Sequence, residues 1–338
     1  MASVEKRMGE ARDGLLTGWW SKLSVGGVAA VLLVLIAQGV LNSYWLGILT
    51  LGLVFGLFAM GLDVLVGWCG LASLGHAAFF GTSGYVLAIM TTRWGVSPWV
   101  AAGLGVAAGT LLAALFAPLA VRVRGLTFLT VTLAAGQIVW GVALKWREVT
   151  GGSDGIPGVP RPELPGGISL MSSTNYFVLT GVVVFVVAAA LSRVMAGPLG
   201  LQLNAARQSD LRLRSLGYHV GRLRVVAFVI SAAVASVAGI LVVFFNQFAG
   251  TNIVDWRLSA QMLLAVVIGG PGSLWGPFFA GFGLYLLQVA ATNLTERWTL
   301  ILGLLYITAV LVIPRGLGPV MGNLGLRLRR GLSRGSRA

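Results

Sequence analysis

Charged side chains are scarce in this sequence: Asp, Glu, Lys and Arg make up 10% of its 338 residues, whereas hydrophobic residues make up 57%. Soluble domains carry about a quarter charged residues, so this scarcity excludes an ordinary soluble domain. The single cysteine, Cys69, excludes an internal disulfide and any metal site built from cysteines. The composition therefore predicts an integral membrane protein.

Motifs for several kinds of catalysis are also missing. No G-x-x-x-x-G-K-[ST] sequence is present, so the chain cannot hydrolyse ATP with a P-loop of its own. The two histidines, His76 and His219, stand far apart in the sequence, and no H-E-x-x-H motif is present. Asp63 is the one acid clearly within a predicted membrane span, which weakens a proton-driven mechanism. We therefore expect no catalytic residue, no metal, no cofactor and no enzymatic activity in this chain.

Basic residues outnumber acidic ones by 24 to 10, which gives a formal net charge of +14. They are concentrated at the ends of hydrophobic runs and in the terminal tails, where anionic lipid and membrane insertion explain them. Few aromatic residues are interleaved with this charge, although stacking on nucleic-acid bases would need them. We expect contact with membrane lipid and none with nucleic acid.

Hydrophobic runs of about 20 residues, the length needed to cross a bilayer, recur along most of the chain. They predict an all-α, polytopic membrane protein with about ten transmembrane helices, near residues 24–41, 44–66, 71–91, 97–121, 126–144, 174–194, 224–248, 258–269, 275–292 and 298–314. The eighth run is short, so nine or eleven crossings stay open. The distribution of Lys and Arg places both termini in the cytoplasm. The predicted organisation is a cytoplasmic tail at 1–23, a membrane domain at 24–314 and a basic cytoplasmic tail at 315–338.

Residues 193–224, hereafter the basic segment, contain six arginines and one acid, Asp210. After Gly197 and Pro198, an amphipathic helix is predicted over 199–217. On a helical wheel, one face carries the apolar or small side chains and the opposite face carries arginines; the first set is Ala206, Ser209, Leu213 and Leu216, and the second is Arg207 and Arg214. Such a helix can seat its apolar face on the membrane domain and offer its arginines to a partner protein. The alternative is a basic loop that only satisfies the positive-inside rule.

The longest polar connection, residues 145–173, is predicted to lie outside the membrane on the extracytoplasmic side. It contains four prolines and many glycines, which exclude a long helix. Asp154 and Glu163 are candidates for docking an extracytoplasmic partner. A plain extended loop is the alternative.

The sequence contains 48 glycines, and some of them recur at regular spacings. The spacings Gly52-x-x-x-Gly56 and Gly105-x-x-x-Gly109 predict close helix packing. In addition, residues 70–81 and 270–281 share Gly, Ser, Leu, Phe and Gly at a constant offset of 200. This similarity predicts an internal repeat, and chance matching of common residues is the alternative.

Glycine-interrupted helices in transporters commonly carry the substrate site, because unwound backbone there offers free N–H groups to a carboxylate. Residues at these interruptions, and polar side chains near them, are therefore candidates for the substrate pathway. They are Ser73, Gly75, His76, Thr132, Gln137, Gly270 and Ser273. For the hydroxyl groups, a bond to the carbonyl of their own helix is the alternative.

Four sequence motifs occur in this order along the chain: GWCGLASLGHAAFFGTSGY, TGGSDGI, FVISAAVASVAGIL and GGPGSLWGP. In this combination, over roughly residues 45–318, the chain resembles LivM-like permease subunits of branched-chain amino-acid ABC transporters. That family also includes importers of urea and short amides. The resemblance implies an ATP-driven importer in the bacterial inner membrane.

The resemblance also implies partners: a second permease subunit, two cytoplasmic ATPase subunits that bind ATP and magnesium, and an extracytoplasmic solute-binding protein. It implies that residues 199–217 couple this chain to the ATPase, and there Ala205, Arg207 and Gly217 match the family pattern. Together with the helical wheel, it gives the coupling candidates Gly200, Leu203, Ala205, Arg207, Leu213, Arg214, Leu216 and Gly217.

The sequence departs from the family pattern in two places, so the identity of the transported solute stays open. Asp63 stands where Asn is usual, and Trp68 and Cys69 replace a more typical Tyr-Thr pair. Branched-chain or related amino acids are the expected solutes, with urea or short amides as the alternative. From another class of protein, a secondary transporter or channel driven by an ion gradient stays open.

Overall fold

The computed structural model describes residues 42–123, 125–164 and 168–294, together with Gly303. In this part of the chain helices dominate, in the order α1 (Ser43–Asp63), α2 (His76–Thr92), α3 (Pro98–Ala120), α4 (Leu126–Lys145), α5 (Arg147–Thr150), α6 (Ser173–Ala196), α7 (Pro198–Gln208), α8 (Asp210–Ser215), α9 (Val220–Asn246), α10 (Trp256–Gly269) and α11 (Trp275–Leu294). A π-helix, Val64–Cys69, continues α1, and a 3-10 turn, Thr251–Val254, precedes α10. The predicted spans at 24–41 and 298–314 and both predicted tails lie outside the described residues, apart from Gly303.

Several helices in the described chain are long and apolar enough to cross a membrane: Ser43–Cys69, Pro98–Ala120, Leu126–Lys145, Ser173–Ala196 and Val220–Asn246. They match predicted spans closely. The predicted span at 71–91 is different, because its helix begins only at His76 after residues 70–75, which have no regular structure. The predicted span at 258–269 corresponds to α10, whose 14 residues are too few to cross a bilayer alone. The total of about ten transmembrane helices stays a prediction.

The all-α prediction is confirmed for the described residues, in which helices are accompanied only by strands of two residues each. β1 (Ile156–Pro157) pairs antiparallel with β4 (Phe248–Ala249), and β2 (Glu163–Leu164) pairs antiparallel with β3 (Ile168–Ser169). Three of these strands, as well as the single-turn helix α5, lie in the 145–173 loop. The glycines and prolines of this loop exclude a long helix, as predicted, but not one helical turn.

Helix α1 packs against α6, α9, α10 and α11. We name the two ends of the helix bundle after the first and last residues of α1, Ser43 and Asp63. At the Ser43 end, Asn293 of α11 donates to the Tyr44 hydroxyl at 3.2 Å. At the opposite, Asp63 end, the chain turns twice, at 70–75 before α2 and at 270–274 before α11. The two stretches predicted as a repeat therefore both hold a helix break, and a repeat over more of the chain stays a prediction.

The glycine spacings that predicted close helix packing are confirmed. Gly52 and Gly56 of α1 face Phe282 and Phe278 of α11, and a Cβ on Gly56 would lie 2.8 Å from the Phe278 carbonyl oxygen. Gly105 and Gly109 of α3 approach the backbone of α2 in the same way. Absence of a side chain lets these backbones come together, and the close van der Waals packing that results helps to associate helices in a membrane.

Replacing Gly109 with alanine should therefore separate α3 from α2 and lower the thermal stability of the protein. A Cβ at this position would lie 2.8 Å from the Phe79 carbonyl oxygen and would also overlap the Ser236 hydroxyl. Overpacking of this kind costs about 1–3 kcal/mol. Gly103→Ala in the same helix is the matched control, because a Cβ there meets nothing within 4 Å. Equal unfolding midpoints of the two variants in detergent would contradict the packing role.

The basic segment does not form the single helix predicted over 199–217. It forms α7 and α8, which are separated at Ser209. Ser209 has an extended backbone, and its hydroxyl accepts from the Arg212 N–H at 3.4 Å, so it caps a new helix and ends the old one. Asp210 in the first turn of α8 adds a favourable charge there. Its carboxylate forms an ion pair with Arg224 of α9 at 2.8 Å, which fastens α8 to the membrane domain.

The break at Ser209 also changes which side chains of the basic segment face the membrane domain. Ala206 and Leu213 are buried, as predicted, and Leu203 is buried with them, whereas Leu216 is 69% exposed and does not belong to the apolar seat. Among the other coupling candidates, Ala205 is half-buried, Arg214 is exposed, Gly200 packs on Trp68, and Gly217 with φ +85° follows the end of α8.

Candidate functional site

The break between the π-helix and α2, residues 70–75, is held by side chains of other helices. The Leu74 N–H donates to the Thr132 hydroxyl of α4 at 3.2 Å. In the first turn of α2, the Ala77 N–H donates to the Ser259 hydroxyl of α10 at 2.7 Å. The first N–H groups of a helix have no acceptor within the helix, so these hydroxyls satisfy donors that would otherwise be buried without a partner.

His76, the first residue of α2, connects this break to two further helices. Its Nδ1 lies 2.8 Å from the Ser73 Oγ, and its Nε2 lies 2.9 Å from the Ser231 Oγ of α9. The Ser231 hydroxyl donates to the Gly61 carbonyl of α1 at 2.7 Å, so its oxygen accepts a hydrogen bond from the ring N–H. The imidazole therefore carries its proton on Nε2, and its Nδ1 accepts from the Ser73 hydroxyl.

This arrangement places Ser73 and His76 at the helix break but encloses them in protein. Both side chains have 0% exposure, and their polar atoms are bonded to other protein groups. The geometry gives them a positioning role between the break, α1 and α9. Contact of these two side chains with a substrate stays a prediction.

An apolar cavity of about 200 Å³ lies beside the break. Two of the predicted pathway residues, Gly75 and Thr132, line it, together with apolar side chains of α2, α3, α4 and α9 that include Phe79, Val131 and Phe228. Gly75 allows this close approach, because a Cβ on it would overlap the Thr132 carbonyl oxygen. Gln137 is exposed on α4 and does not line the cavity.

The second break, residues 270–274, is held by Asp63 at the end of α1. The fully buried Asp63 carboxylate accepts from the Gly272 N–H at 2.8 Å and from the Leu274 N–H at 3.0 Å. Gly270 and Gly272 have φ of +91° and +93°, a left-handed region that other residues rarely adopt. A buried carboxylate that accepts two backbone hydrogen bonds thus determines the path of this turn.

Ser273, a predicted pathway residue, acts within the same turn. Its hydroxyl donates to the Gly270 carbonyl at 2.9 Å and accepts from the Gly276 N–H at 3.2 Å. This is the alternative that the sequence left open, a hydroxyl bonded to its local backbone. Gly270 and Ser273 therefore shape the turn, and substrate contact by either stays a prediction.

Arg207 of α7 contacts both breaks, and its predicted outward direction is wrong. Although the side chain is exposed overall, its Nη1 donates to the Gly67 carbonyl of the π-helix, its stem packs against Gly70, and its guanidinium lies beside Gly272. The helix end explains the contact, because Gly67 lies in the last turn before Cys69 and the last carbonyl groups of a helix have no partner within it. The basic segment is thus joined directly to the two helix breaks.

At the Ser43 end, Arg161 anchors the 145–173 loop. Its guanidinium donates to the carbonyls of Phe244 at 3.0 Å and Phe245 at 2.8 Å, in the last turn of α9, and to Leu170 at 3.1 Å. It also lies over the Tyr176 ring, 4.7 Å from the centroid. Partial burial lowers the pKa of Arg161 from its usual range. The loop is thereby fastened to the bundle.

Two acids of this loop, Asp154 and Glu163, are exposed at its surface. The loop as a whole is anchored to neighbouring helices: Trp99 donates to the Glu163 carbonyl at 2.9 Å, and Arg93 at the end of α2 donates to the Glu148 carbonyl. Both carboxylates are available to a partner, so their predicted docking role agrees with their exposure and stays a prediction.

Three residues of the two breaks were not singled out from the sequence as parts of a site: Ser231, Ser259 and Asp63. Two of them could have been identified from the sequence: Ser231 lies in the motif FVISAAVASVAGIL, and Asp63 is the acid within a predicted span. Ser259 had no signal beyond being a hydroxyl in an apolar helix. Among the residues that the structure describes, no three His, Cys, Asp or Glu side chains lie close enough together to hold a metal ion.

Comparison with known proteins gives a consistent result. A family model described as the permease component of branched-chain amino acid transport systems matches residues 44–312. The chain is 31% identical to the high-affinity branched-chain amino acid transport system permease protein LivM of Escherichia coli (strain K12), over 86% of this chain and 73% of that protein. Identity to the protein of the same name from Salmonella typhimurium is 32%, with the same coverage. No solved structure matches the chain significantly.

Proposed function

Because the chain belongs to the family of permease components of branched-chain amino acid transport systems, we propose that it forms part of the translocation pathway of an ATP-driven importer for branched-chain amino acids. It lies in the bacterial inner membrane, with the Asp63 end toward the cytoplasm and the Ser43 end outside. The Arg-rich basic segment and the 145–173 loop lie at opposite ends of the bundle, which supports this orientation.

The proposed complex contains a second permease, two ATPase subunits that bind ATP and magnesium, and an extracytoplasmic solute-binding protein. This chain supplies no ATP-binding motif, so hydrolysis takes place on the ATPase subunits. Asp154 and Glu163 on the anchored outer loop contribute charge to the docking of the binding protein. Charges at the rim of an interface mainly speed association, so their effect should weaken as salt is added.

The contact of Arg207 with the Gly67 carbonyl is the observation that supports the coupling role most directly. Movement of α7 with an ATPase subunit would pull on the π-helix through this bond and on the 270–274 turn beside it. Both breaks precede helices of the bundle, α2 and α11, so their displacement can change access to the pathway. ATP and solute must each favour a different conformation for such coupling to do work.

The surface of the basic segment that faces away from the membrane domain carries exposed leucines. Leu211 in α8 is 82% exposed and Leu216 is 69% exposed, and Arg212 and Arg214 lie between them. Apolar side chains clustered on an exposed surface mark an interaction site. The ATPase contact is therefore assigned to Leu211, Leu216 and the neighbouring arginines, whereas Arg207 and Leu213 hold the segment on the membrane domain.

Replacing both Leu211 and Leu216 with serine should uncouple the complex without unfolding the chain. These side chains make few contacts within the described structure, so the stability of the chain should change little. Solute-stimulated ATPase activity of the assembled complex should fall about tenfold or more, because the loss of two buried leucines at an interface costs several kcal/mol.

The matched control is Leu213→Ser, the same substitution at a buried position in the same segment. This variant should loosen the basic segment from the membrane domain and speed its cleavage by trypsin at the exposed arginines, whereas the double variant should not. Wild-type coupling in the Leu211→Ser/Leu216→Ser variant would overturn the assignment of the ATPase surface.

Uptake of radiolabelled leucine into proteoliposomes tests the proposed function as a whole. Uptake should need ATP, both permeases, the ATPase and the binding protein, and the purified chain alone should hydrolyse no ATP. Uptake by the single chain in response to an ion gradient would establish a secondary transporter instead. Competition by urea or short amides, with none by leucine or valine, would assign the alternative solutes.

A further inference from the structure

Between α9 and α10 the chain turns back into the bundle. The 3-10 turn Thr251–Val254 packs between α2 and α4, and its Ile253 lies so close to α2 that a Cβ on Gly81 or Gly84 would come within 3.0 Å of it. Gly84 and Gly81 precede Thr92, the last residue of α2, by about 12 and 17 Å at 1.5 Å per residue. In a hydrocarbon layer about 30 Å thick, this turn lies near the middle.

Two charged residues follow the turn at this depth. The Asp255 Oδ2 and the Arg257 Nη1 are 4.0 Å apart, and their side chains are 28% and 77% exposed. The bond from the Ala77 N–H to the Ser259 hydroxyl places the first turn of α10 beside the start of α2, well inside the bundle. Charged side chains within a bilayer almost always face the interior of a bundle or a water-filled cavity. The surface that carries Asp255 and Arg257 therefore borders an aqueous path.

Helix capping explains only one of the two charges. The Asp255 carboxylate accepts from the Arg257 N–H at 2.9 Å and so caps α10. A positive side chain near a helix N-terminus is unfavourable, and any residue can supply the backbone N–H. The mostly exposed Arg257 guanidinium thus has no structural purpose in the described part of the chain beyond a long contact with Asp255.

We propose that Asp255 and Arg257 bind the charged head group of a zwitterionic α-amino acid in transit. This inference rests on the proposed function, since it names the site at which the transported solute is held. The planar guanidinium can donate two parallel hydrogen bonds to the carboxylate of the ligand, and Asp255 can accept from its ammonium group. Trp256, between them and 40% exposed, offers an apolar surface to a branched side chain.

Thiol labelling tests whether the surface is aqueous and whether it binds this ligand. The one native cysteine is buried, so Arg257→Cys gives a selective target. In the complete complex in lipid nanodiscs, a charged, membrane-impermeant methanethiosulfonate should modify this variant. Leu115→Cys on the apolar surface of α3, where Leu115 is 70% exposed, should stay unmodified. No reaction of the Arg257→Cys variant would overturn the proposal.

Protection from labelling identifies the ligand. Because the Arg257→Cys substitution itself removes the guanidinium, this measurement uses Asn252→Cys, an exposed position in the adjacent turn, which keeps Asp255, Trp256 and Arg257. Leucine supplied with the binding protein should slow its modification about tenfold, since charge-assisted bonds are worth that much or more. Leucine without its ammonium, 4-methylpentanoate, and leucine without its carboxylate, isoamylamine, should not protect. Equal protection by either analogue, or none by leucine, would exclude a head-group site.

Uptake measurements separate failure of this site from failure of the proposed function. If the wild-type complex takes up no leucine with ATP, the proposed function itself is wrong. If it does, Arg257→Gln and Asp255→Asn should each reduce uptake about tenfold, while ATPase stimulation by the loaded binding protein is retained. Arg257→Lys should recover part of the loss, because it restores the charge but not the planar fork. Normal uptake by Arg257→Gln in a working complex would overturn the site.

Discussion

Replacing Asp63 with alanine should reduce leucine uptake and solute-stimulated ATPase activity of the assembled complex by about tenfold or more. The carboxylate is the acceptor for two backbone N–H groups, those of Gly272 and Leu274. A buried N–H group without an acceptor costs about 1–3 kcal/mol, so the 270–274 turn will leave its present path to find water or another partner. Arg207 lies beside the same turn, and its link to the second break will then be lost.

Asp63→Asn is the graded control for this change. The amide has one carbonyl oxygen, so it can accept one of the two hydrogen bonds while its NH₂ group faces the other donor. We expect an intermediate defect, smaller than that of Asp63→Ala. Asp154→Asn removes an exposed carboxylate and should leave the ATPase activity unchanged at high salt. Uptake at wild-type levels in Asp63→Ala would show that the turn is not part of the coupling route.

Most of the long helices could be predicted from the sequence, because hydrophobic length and glycine spacing are local properties of the chain. The segments 97–121, 126–144 and 174–194 needed only a run of apolar residues between breaks. The run at 258–269 could not be interpreted in the same way. Its hydrophobicity suits a buried helix of any length, whereas its start is set by the Asp255 cap and by the contact of Ser259 with α2.

The arrangement of the site was less accessible, because it depends on distances between residues far apart in sequence. A helical wheel is valid only along one continuous helix. Ser209 caps a new helix in the middle of 199–217, so the wheel does not apply across this residue. The sequence Ser-Asp at 209–210 was a usable signal for a helix start. The wheel gave no indication that Arg207 reaches the Gly67 carbonyl, since that acceptor lies at the end of another helix, 140 residues earlier in the sequence.

Both helix breaks are therefore held by polar groups that the hydrophobic pattern does not reveal. Asp63 holds the turn before α11, and hydroxyls from α4, α9 and α10 hold the break before α2. Arg207 contacts the chain beside each break. A movement of the basic segment would therefore displace both breaks, and with them α2 and α11, at the same time. A contact with one break alone would displace only one of these helices.

Replacing His76 with leucine should lower the thermal unfolding midpoint of the protein by about 5 °C or more, with little change in the KM for leucine. The imidazole accepts from Ser73 and donates to Ser231, and all three side chains are fully buried. Leucine leaves the Ser73 hydroxyl without an acceptor and the Ser231 oxygen without its donor, at about 1–3 kcal/mol for each group. Since His76 is fully buried and both its ring nitrogens are bonded to protein hydroxyls, solute affinity should survive in the folded fraction.

A double-mutant cycle with Ser73→Ala separates this positioning role from contact with the solute. Removing both partners of a buried hydrogen bond costs less than removing one, so Ser73→Ala should destabilise the wild type more than it destabilises the His76→Leu variant. A coupling of about 0.5–3 kcal/mol is expected between residues in direct contact. Gly75 lies between these two residues and lines the cavity, so a loosened break should reduce the maximal rate of uptake before it changes KM. A raised KM with an unchanged unfolding midpoint would instead place the imidazole in contact with the transported molecule.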